Sequence, residues 1–341
     1  MATGRWTGFF RTGRILRRAL REQQGCIRDV HRRLGPHLAS PAGTPREYEV
    51  RLGRLPSAFL SWRRNLFSTL FHSAYLLLGI PEERRKLYGR ILHLNRIWVT
   101  SADNLLDAED KVVVPVEMPG ASRVMRQVVA VMAADRVLAE LLDEAVDAGL
   151  VAREPARRLL AESLRSLLPS AAQEATEEGG IARRPEPEHV LEVIHRLKTG
   201  LLFNVAFVGP EVLEPDLDAA RAQELKAPLM RFGLGCQVLD DVRDLGRDWR
   251  EGRHNYVLSW MAHRRPDLLE SVGSAPPEAA DRLYLRVPQA ALPAARLGLG
   301  MMTSGLAALG ASGLEYGPEQ ASAMAGFMFS VLDLEGLPVH A

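Results

Sequence analysis

The sequence predicts an all-α fold. Its 341 residues are 47% hydrophobic and 25% charged, which is typical of a globular protein and excludes disordered and collagen-like classes. Apolar residues recur every three or four positions over runs of helical length. The best segment for an alternating strand, residues 112–116, is short and contains Pro115. These observations together favour one large all-α domain.

Turn residues divide the chain into six long helical runs. Pro81 stands where one helix would begin, and Pro119 and Gly120 precede Ser122, which is suited to cap the next helix. The predicted helices are residues 59–78, 82–109, 122–148, 155–168, 188–208 and 219–248. Because no linker rich in Pro, Gly or Ser separates them, we assign residues 46–341 to a single domain.

Residues 1–45 form a basic segment before this domain, either helical or mobile. The first 40 residues contain nine arginines against Glu22 and Asp29, a net charge of +7, and the remaining 301 residues carry −6. Apolar residues such as Phe10 and Leu16 lie among the arginines. This pattern predicts peripheral contact with an anionic membrane surface, an amphipathic helix docked on the protein, or a targeting segment.

The cysteines and the longest uncharged run indicate a cytoplasmic protein. Cys26 and Cys236 lie far apart without a CxxC motif, so neither a disulfide framework nor a structural zinc site is indicated. Residues 297–314 are uncharged, but five glycines and three Ser or Thr residues interrupt them. We therefore expect a buried, close-packed helix there and not a membrane span.

A first acidic cluster ends the apolar helix that begins at residue 82. Asp103 and Asp107 are four residues apart and Asp110 is three further, so a helix would place all three carboxylates on one face. Like charges at this spacing repel each other, and a divalent cation would convert the repulsion into coordination. The alternative is an ordinary solvated helix end.

A second acidic cluster follows an apolar helix in the same way. Asp240, Asp244 and Asp248 are spaced i, i+4 and i+8. Charge cannot stay uncompensated in a dry core, so these carboxylates should point towards the mouth of a cavity. Salt bridges to Arg243 and Arg247 are the structural alternative.

Lys198, one of only four lysines, lies within another apolar run and is followed by Thr199. A lysine in such a place needs an anionic partner. A ligand phosphate and a protein carboxylate both meet that need, and a side chain that reaches solvent would need neither.

In order and spacing, these motifs resemble those of the class I isoprenoid synthases. They are most similar to the trans-polyprenyl diphosphate synthase branch, and the resemblance runs from about residue 90 to 260. The matching segments are Asp103-Asn104-Leu-Leu-Asp107, Gln173-Glu174, Lys198-Thr199-Gly200, Gln237-Val-Leu-Asp240-Asp241-Val-Arg-Asp244, Asp248 and Gly252-Arg253.

The resemblance implies one helical bundle with a central apolar cavity and two acidic motifs that face each other across it. A magnesium cluster, with Mn²⁺ as a substitute, would bind the diphosphate of an allylic prenyl substrate. The metal ligands would be Asp103, Asp107, Asp240, Asp244 and Asp248. The diphosphate would be contacted by Lys198 and Arg253, with Thr199 and Gln237 as neighbouring polar contacts. The side chains expected to line the cavity are Phe71, Tyr75, Trp98, Phe203 and Phe207.

The resemblance also implies a homodimer that acts on a small-molecule substrate and binds no nucleic acid. Asn104 replaces the second Asp of the usual first motif, at a position outside the face that Asp103 and Asp107 define.

Two departures from the family pattern bear on the reaction. Chain-elongating members usually carry a Gly-Gly-Lys-x-x-Arg segment and an Arg-Arg-Gly segment for isopentenyl diphosphate, and both are missing. An enzyme without that second site should act on a single prenyl diphosphate. We therefore expect a terpene synthase, a lyase that releases diphosphate and cyclises or rearranges the prenyl chain. Only 6% of the residues are aromatic, which is low for a site that must stabilise carbocations.

Two alternatives stay open. The first is a trans-prenyltransferase that joins isopentenyl diphosphate to an allylic diphosphate and uses other arginines for the second substrate. The other is a non-catalytic subunit that regulates an active synthase.

Overall fold

The computed structural model describes residues 2–107, 109–274, 282–332, 334 and 336–338. It is 77% helical, with 13 helices, which confirms the all-α prediction. Two short strands, β1 (Arg51–Leu52) and β2 (Val116–Glu117), pair in antiparallel register, with Leu52 opposite Val116. Of the segment 112–116, only the last residue is part of a strand.

The chain divides into two compact units. The first, here the amino-terminal unit, comprises residues 13–164 and 205–219; the second, the carboxy-terminal unit, comprises residues 1–12, 165–204 and 220–341. The first five helices are α1 (Ala2–His37), α2 (Trp62–Leu77), α3 (Glu82–Leu106), α4 (Arg123–Asp147) and α5 (Arg153–Arg165).

The core of the amino-terminal unit is built mainly on α3 and α4. Their buried faces supply residues such as Leu94 and Leu138, and α1 adds Val30 and Leu34 to the same core. These apolar positions follow the helical period, so α1 packs through one face. The assignment of residues 1–45 to a separate basic segment and of residues 46–341 to one domain stays a prediction.

The ends of these helices follow from local hydrogen bonds. The Ser122 hydroxyl accepts a hydrogen bond from the Met125 amide at 3.2 Å, which confirms Ser122 as the cap of α4. Helix α3 ends at Leu106 and not at residue 109, because Asp107 leaves the helical conformation (φ −95°, ψ 5°).

The helices that follow α5 are shorter and more irregular. They are α6 (Leu168–Ala175), α7 (Leu201–Leu213), α8 (Ala219–Arg243), α9 (Leu245–Glu251), α10 (Tyr256–Arg264), α11 (Pro266–Gly273), α12 (Pro288–Leu309) and α13 (Pro318–Val331). The single helix predicted over 188–208 is instead a short helical turn, two π-helical segments, Val190–Ile194 and Arg196–Gly200, and then α7. The helix predicted over 219–248 is divided at Asp244.

Helices α8 and α12 approach each other through glycines. A Cβ atom on Gly298 would lie 2.8 Å from the Gly235 carbonyl oxygen, and one on Gly235 would lie 2.5 Å from the Gly298 carbonyl oxygen. Within the described chain, Pro288–Leu314 is the one stretch whose length and composition would suit a membrane span. In this stretch, Gly298 packs closely against Gly235 of α8. This agrees with the close-packed helix predicted for residues 297–314.

Candidate active site

One face of α3 carries the first acidic motif and a cation. Asp103 is exposed and Asp107 is half-buried, and the Asp107 amide donates to the Asp103 carbonyl at 2.8 Å. Arg96 lies seven residues before Asp103, which is two helical turns, or about 10 Å, along the same face. Thr100 occupies the turn between them. This face therefore presents oxygen donors at one end and a guanidinium at the other.

Asn104 points away from that face and holds the loop after α3. Its amide nitrogen donates to the Lys111 carbonyl and its amide oxygen accepts from the Lys111 amide, both at 2.9 Å. An aspartate could not donate the first of these bonds. Asp110 lies in this loop and pairs with Arg126 at 2.7 Å, so the prediction that it shares a helical face with Asp103 is wrong.

Arg96 is the one arginine of α3 that has no carboxylate partner among the described residues. Arg84 pairs with Glu214 at 2.5 Å, Arg85 with Glu22 at 2.8 Å and Arg90 with Asp29 at 2.6 Å. These three arginines stabilise the packing of the unit. They leave Arg96 as the cation of the helix that is available to a ligand.

Arg96 lies beside α2, where Asn65 and Arg64 are its neighbours. Its guanidinium donates to the Asn65 side-chain oxygen at 3.3 Å, and Asn65 is held by its own bonds to the Phe59 and Ser61 carbonyls. Burial, and then the nearby charge of Arg64, lower the pKa of Arg96 from its ordinary value. The charge of Arg64 thus acts on Arg96, and neither guanidinium has a carboxylate partner among the residues described. Arg64 also stacks on the Phe59 ring, with its guanidinium carbon 4.5 Å from the ring centroid. Guanidiniums without carboxylate partners are suited to an anion.

The second acidic motif keeps its spacing across the break between α8 and α9. The Asp244 amide donates to the Asp240 carbonyl at 2.8 Å, and the Asp248 amide to the Asp244 carbonyl at 2.9 Å. The Asp240 side chain is 37% exposed, whereas those of Asp244 and Asp248 are mostly buried. The motif therefore runs from the surface into the unit.

Arginines also pair with this motif. Asp240 forms an ion pair with Arg243, and Asp244 accepts from Arg243 at 2.8 Å and from Arg247 at 2.7 Å. The salt bridges that were the structural alternative are thus present. The role of these carboxylates as metal ligands stays a prediction.

Asp241, next to the motif, is a structural carboxylate. It is buried and accepts from His195 Nε2 at 2.9 Å, from the Tyr256 amide at 2.5 Å and from the Gln237 side chain at 3.2 Å. Asp248 accepts from the Asn255 side chain at 2.8 Å. Burial, and then the charge of Asp241, raise the pKa of Asp248 well above its ordinary value. A bound cation would offset that burial cost.

Lys198 and Arg253 share a carboxylate in the carboxy-terminal unit. Lys198 lies in the second π-helical segment, and its ammonium is 3.1 Å from both Glu174 and Glu177; Arg253 is 3.6 Å from Glu174. Burial acts to lower the pKa of Lys198, but the two carboxylates outweigh it and raise that pKa. Thr199 donates to the Gln237 side chain. The structure thus brings the predicted diphosphate contacts together in two adjoining pairs.

Two residues of this cluster, Glu177 and His195, were not predicted from the sequence. Glu177 is fully buried and also accepts from the His254 amide at 2.9 Å, and His195 is the buried partner of Asp241. The available signal was spacing: Glu177 lies three residues after Glu174, and His195 lies three before Lys198.

The aromatic residues expected to line a cavity pack mostly as core. Phe71, Tyr75 and Phe207 are buried, and Tyr75 meets Phe207 edge to face, with ring centroids 6.5 Å apart. Trp98 packs against the core of the amino-terminal unit. Phe203 covers Gly233, where a Cβ atom would lie 2.6 Å from its ring.

A cleft of about 720 Å³ lies in the carboxy-terminal unit. Gln173, His189, Leu197 and His254 are among its lining residues, and none of the predicted metal ligands or cavity aromatics is. The central apolar cavity implied by the resemblance therefore stays a prediction.

The acidic motifs suit magnesium only with help from a ligand. In the described part of the chain, no three His, Cys, Asp or Glu side chains are grouped closely enough to hold a metal ion. Mg²⁺ is usually bound by one or two carboxylates, together with waters and substrate phosphates. The hard oxygen donors of Asp103, Asp107, Asp240 and Asp244 fit that manner of binding.

Comparisons with known proteins identify the fold. Neither a scan against protein-family models nor a search of curated proteins gave a match. Among solved structures, a decaprenyl diphosphate synthase from Rhodobacter capsulatus aligns with a TM-score of 0.61 and 18% identity, over 93% of this chain and 98% of that one. The chain therefore has the class I isoprenoid synthase fold.

Other structures agree with this assignment. A polyprenyl synthase from Caulobacter crescentus, complexed with calcium and isoprenyl diphosphate, has a TM-score of 0.60 at 16% identity and covers 92% of this chain and 97% of its own. A geranylgeranyl pyrophosphate synthetase from Pyrococcus horikoshii has a TM-score of 0.57 at 18% identity, over 94% and 98%. The isoprenoid synthase fold predicted from the motifs is confirmed. At these identities the likeness shows the fold and leaves the activity open.

Proposed function

We propose that the protein is a magnesium-dependent trans-prenyltransferase that joins isopentenyl diphosphate to an allylic prenyl diphosphate. The observation that carries this proposal is the pair of guanidiniums, Arg64 and Arg96, without carboxylate partners among the described residues. Because Arg96 shares a helical face with Asp103, a second diphosphate could bind two turns from the first acidic motif. The likeness to solved prenyl diphosphate synthases supports the same choice.

The acidic motifs and basic residues would act on the allylic diphosphate. Magnesium, when bound, would neutralise charge on the departing pyrophosphate, and the ligands would be Asp103, Asp107, Asp240, Asp244 and Asp248. Lys198 and Arg253 would exchange their shared partner Glu174 for the diphosphate, with Thr199 and Gln237 beside them. In this account the ion pairs hold the basic side chains in position until the substrate binds.

The proposed reaction is balanced within the two substrates. The C1–O bond of the allylic diphosphate breaks and pyrophosphate leaves with the electron pair. The double bond of isopentenyl diphosphate then attacks C1, and loss of a proton restores a double bond. Arg64 and Arg96 would hold the diphosphate group of isopentenyl diphosphate. This group is not cleaved and becomes the diphosphate of the longer product.

Cyclisation of one prenyl diphosphate is the second candidate function. It is favoured by the missing Gly-Gly-Lys-x-x-Arg and Arg-Arg-Gly segments. Arg84 and Arg85 cannot replace them without breaking ion pairs to Glu214 and Glu22. Arg64 and Arg96 offer a replacement, which is why we place prenyl transfer first.

A product assay separates the candidates. The purified protein is incubated with Mg²⁺ and geranyl, farnesyl or geranylgeranyl diphosphate, with and without isopentenyl diphosphate. We expect a longer prenyl diphosphate only when isopentenyl diphosphate is present. A hydrocarbon or alcohol formed without it would instead establish cyclisation, and no pyrophosphate release in any mixture would favour the regulatory subunit.

We further propose that the protein forms a homodimer through α4 and α5. The exposed fractions of Val124 and Met132 on α4 are 58% and 60%, and that of Leu164 on α5 is 59%. A second copy of the chain would cover these apolar side chains. Light scattering coupled to gel filtration should give twice the mass of 37.7 kDa, and Met132→Glu should lower it towards the monomer.

A further inference from the structure

Helix α1 separates its charges between two faces. Its acidic residues, Glu22 and Asp29, face the protein: Glu22 accepts from His72 at 2.7 Å and from Arg85 at 2.8 Å, and Asp29 pairs with Arg90. Each of these two carboxylates is only 10% exposed. Two exposed arginines of the helix, Arg18 and Arg32, pair with these carboxylates.

Five exposed arginines occupy the outer face of α1. They are Arg14, Arg17, Arg21, Arg28 and Arg32. At 3.6 residues per turn they fall within an arc of roughly 60° and extend along about 27 Å of the helix. The buried residues Ala19, Cys26 and Val30 lie on the opposite side. We call this row the arginine stripe.

The arginine stripe is largely uncompensated. Arg32 pairs with Asp29, whereas the other four have no ion pair among the residues that the structure describes. On a helix whose inner face is anchored in the core, these four charges serve no packing purpose. They leave a straight positive ridge on the surface of the amino-terminal unit.

We propose that the arginine stripe binds the surface of an anionic phospholipid bilayer. A row of arginines on one face of a helix can contact a flat surface along its length. Leu20, partly exposed, lies about 60° round the helix from Arg17, beside the stripe, and is suited to the headgroup region. The net charge of −6 on the residues beyond 40 would be repelled by the same surface, so it would favour docking through this helix.

A duplex nucleic acid is the competing anion. Its charges follow a helical backbone, so a basic protein surface usually meets it through a groove-shaped site or a helix inserted in a groove, with polar side chains that reach the bases. The arginine stripe has neither arrangement. We therefore choose the bilayer and make nucleic acid an outcome of the test.

Vesicle co-sedimentation tests the proposal directly. The full chain is mixed with vesicles of phosphatidylcholine alone or with 30 mol% phosphatidylglycerol. We expect binding only to the anionic vesicles, with the bound fraction falling as NaCl is raised. Since each arginine near such a surface contributes roughly fivefold in affinity, replacing Arg14, Arg17, Arg21 and Arg28 with Gln should weaken binding by more than a hundredfold.

A charge-matched variant separates the stripe from net charge. It replaces four exposed arginines elsewhere in the amino-terminal unit with Gln: Arg46, Arg54, Arg136 and Arg157. We expect it to bind anionic vesicles within about threefold of the wild type, which is less than one arginine is worth. Equal loss in both variants, absence of binding by the wild type, or tighter binding to a 20-base-pair DNA than to the vesicles would overturn the proposal. Because binding is measured without turnover, the result does not depend on the proposed reaction.

Discussion

The amide of Asn104 makes two hydrogen bonds to Lys111, and this pair explains why an asparagine interrupts the acidic motif. We predict that Asn104→Asp lowers the free energy of unfolding by about 1–3 kcal/mol, because a carboxylate would face the Lys111 carbonyl without a proton to donate. Thermal unfolding measures the change. Unchanged stability would contradict the role of Asn104 as a loop clamp, and higher activity of the variant would indicate that position 104 can bind the metal.

In the proposed reaction, Arg96 binds isopentenyl diphosphate and does not bind the allylic diphosphate. Arg96→Gln should raise the KM for isopentenyl diphosphate about 10- to 100-fold, the effect of losing one charge-assisted hydrogen bond, and leave the KM for the allylic diphosphate within threefold. Arg96→Lys should recover part of the loss. The exposed Arg136→Gln is the control and should match the wild type. Equal effects on both substrates would contradict a separate second site.

His93 makes the fold sensitive to acid. Burial, and then the charge of Arg96, lower the pKa of His93 to about 3. The unfolded chain, with an ordinary pKa near 6.5, binds the proton first as pH falls, so stability decreases between pH 6.5 and 3. We predict a loss of about 2 kcal/mol between pH 7 and 5 that is absent in His93→Gln. Urea unfolding at both pH values measures it, and parallel losses in the two proteins would refute the assignment.

Single residues could be predicted where spacing alone defines the neighbours. The position of Asp103 on α3, with Asp107 directly after the helix, follows from helical periodicity. The pairing of Lys198 with Glu177 does not, because it depends on where α6 ends and the π-helical segments begin. Arg96 could have been found from its place seven residues before Asp103, but its lack of a carboxylate partner among the described residues is a tertiary property.

At the scale of elements, α8 can pack closely on α12 because Gly235 and Gly298 have no side chains at the contact. Gly298→Ala should lower the free energy of unfolding by about 1–3 kcal/mol, because its Cβ would meet the Gly235 carbonyl. Gly300, two residues away, has open space around it, so Gly300→Ala should raise stability by up to about 1 kcal/mol through helix propensity. Thermal unfolding compares them, and equal effects would show that the helices can separate without cost.

Helix interiors were easier to predict than helix ends. Apolar periodicity locates α4 most clearly because its buried residues lie on one face. Helices α2, α3 and α8 are buried on several sides, so their length and apolar content indicate them more than a single buried face does. The break at Asp244 and the π-helical segments at 190–200 keep that periodicity nearly intact, so the pattern does not reveal them. π-Helical segments often accompany functional sites, and here one of them carries Lys198.

At the scale of the whole molecule, the order of the motifs predicted the isoprenoid synthase fold although family models do not match the chain. The motifs could be recognised from their order and spacing although overall identity to the solved structure is 18%. Our proposal of prenyl transfer rests on a contact between α2 and α3, which periodicity does not reveal.

The central proposal is that the carboxylates of both acidic motifs would hold magnesium, which would supply the positive charge for the departure of pyrophosphate from an allylic diphosphate. The most direct test is the rate of pyrophosphate release from farnesyl diphosphate and isopentenyl diphosphate with and without Mg²⁺, in the wild type and in Asp103→Ala and Asp240→Ala. We predict Mg²⁺-dependent release by the wild type and a loss of at least about 100-fold in each variant, with unchanged helical circular dichroism. Release at the wild-type rate by either variant would contradict the account.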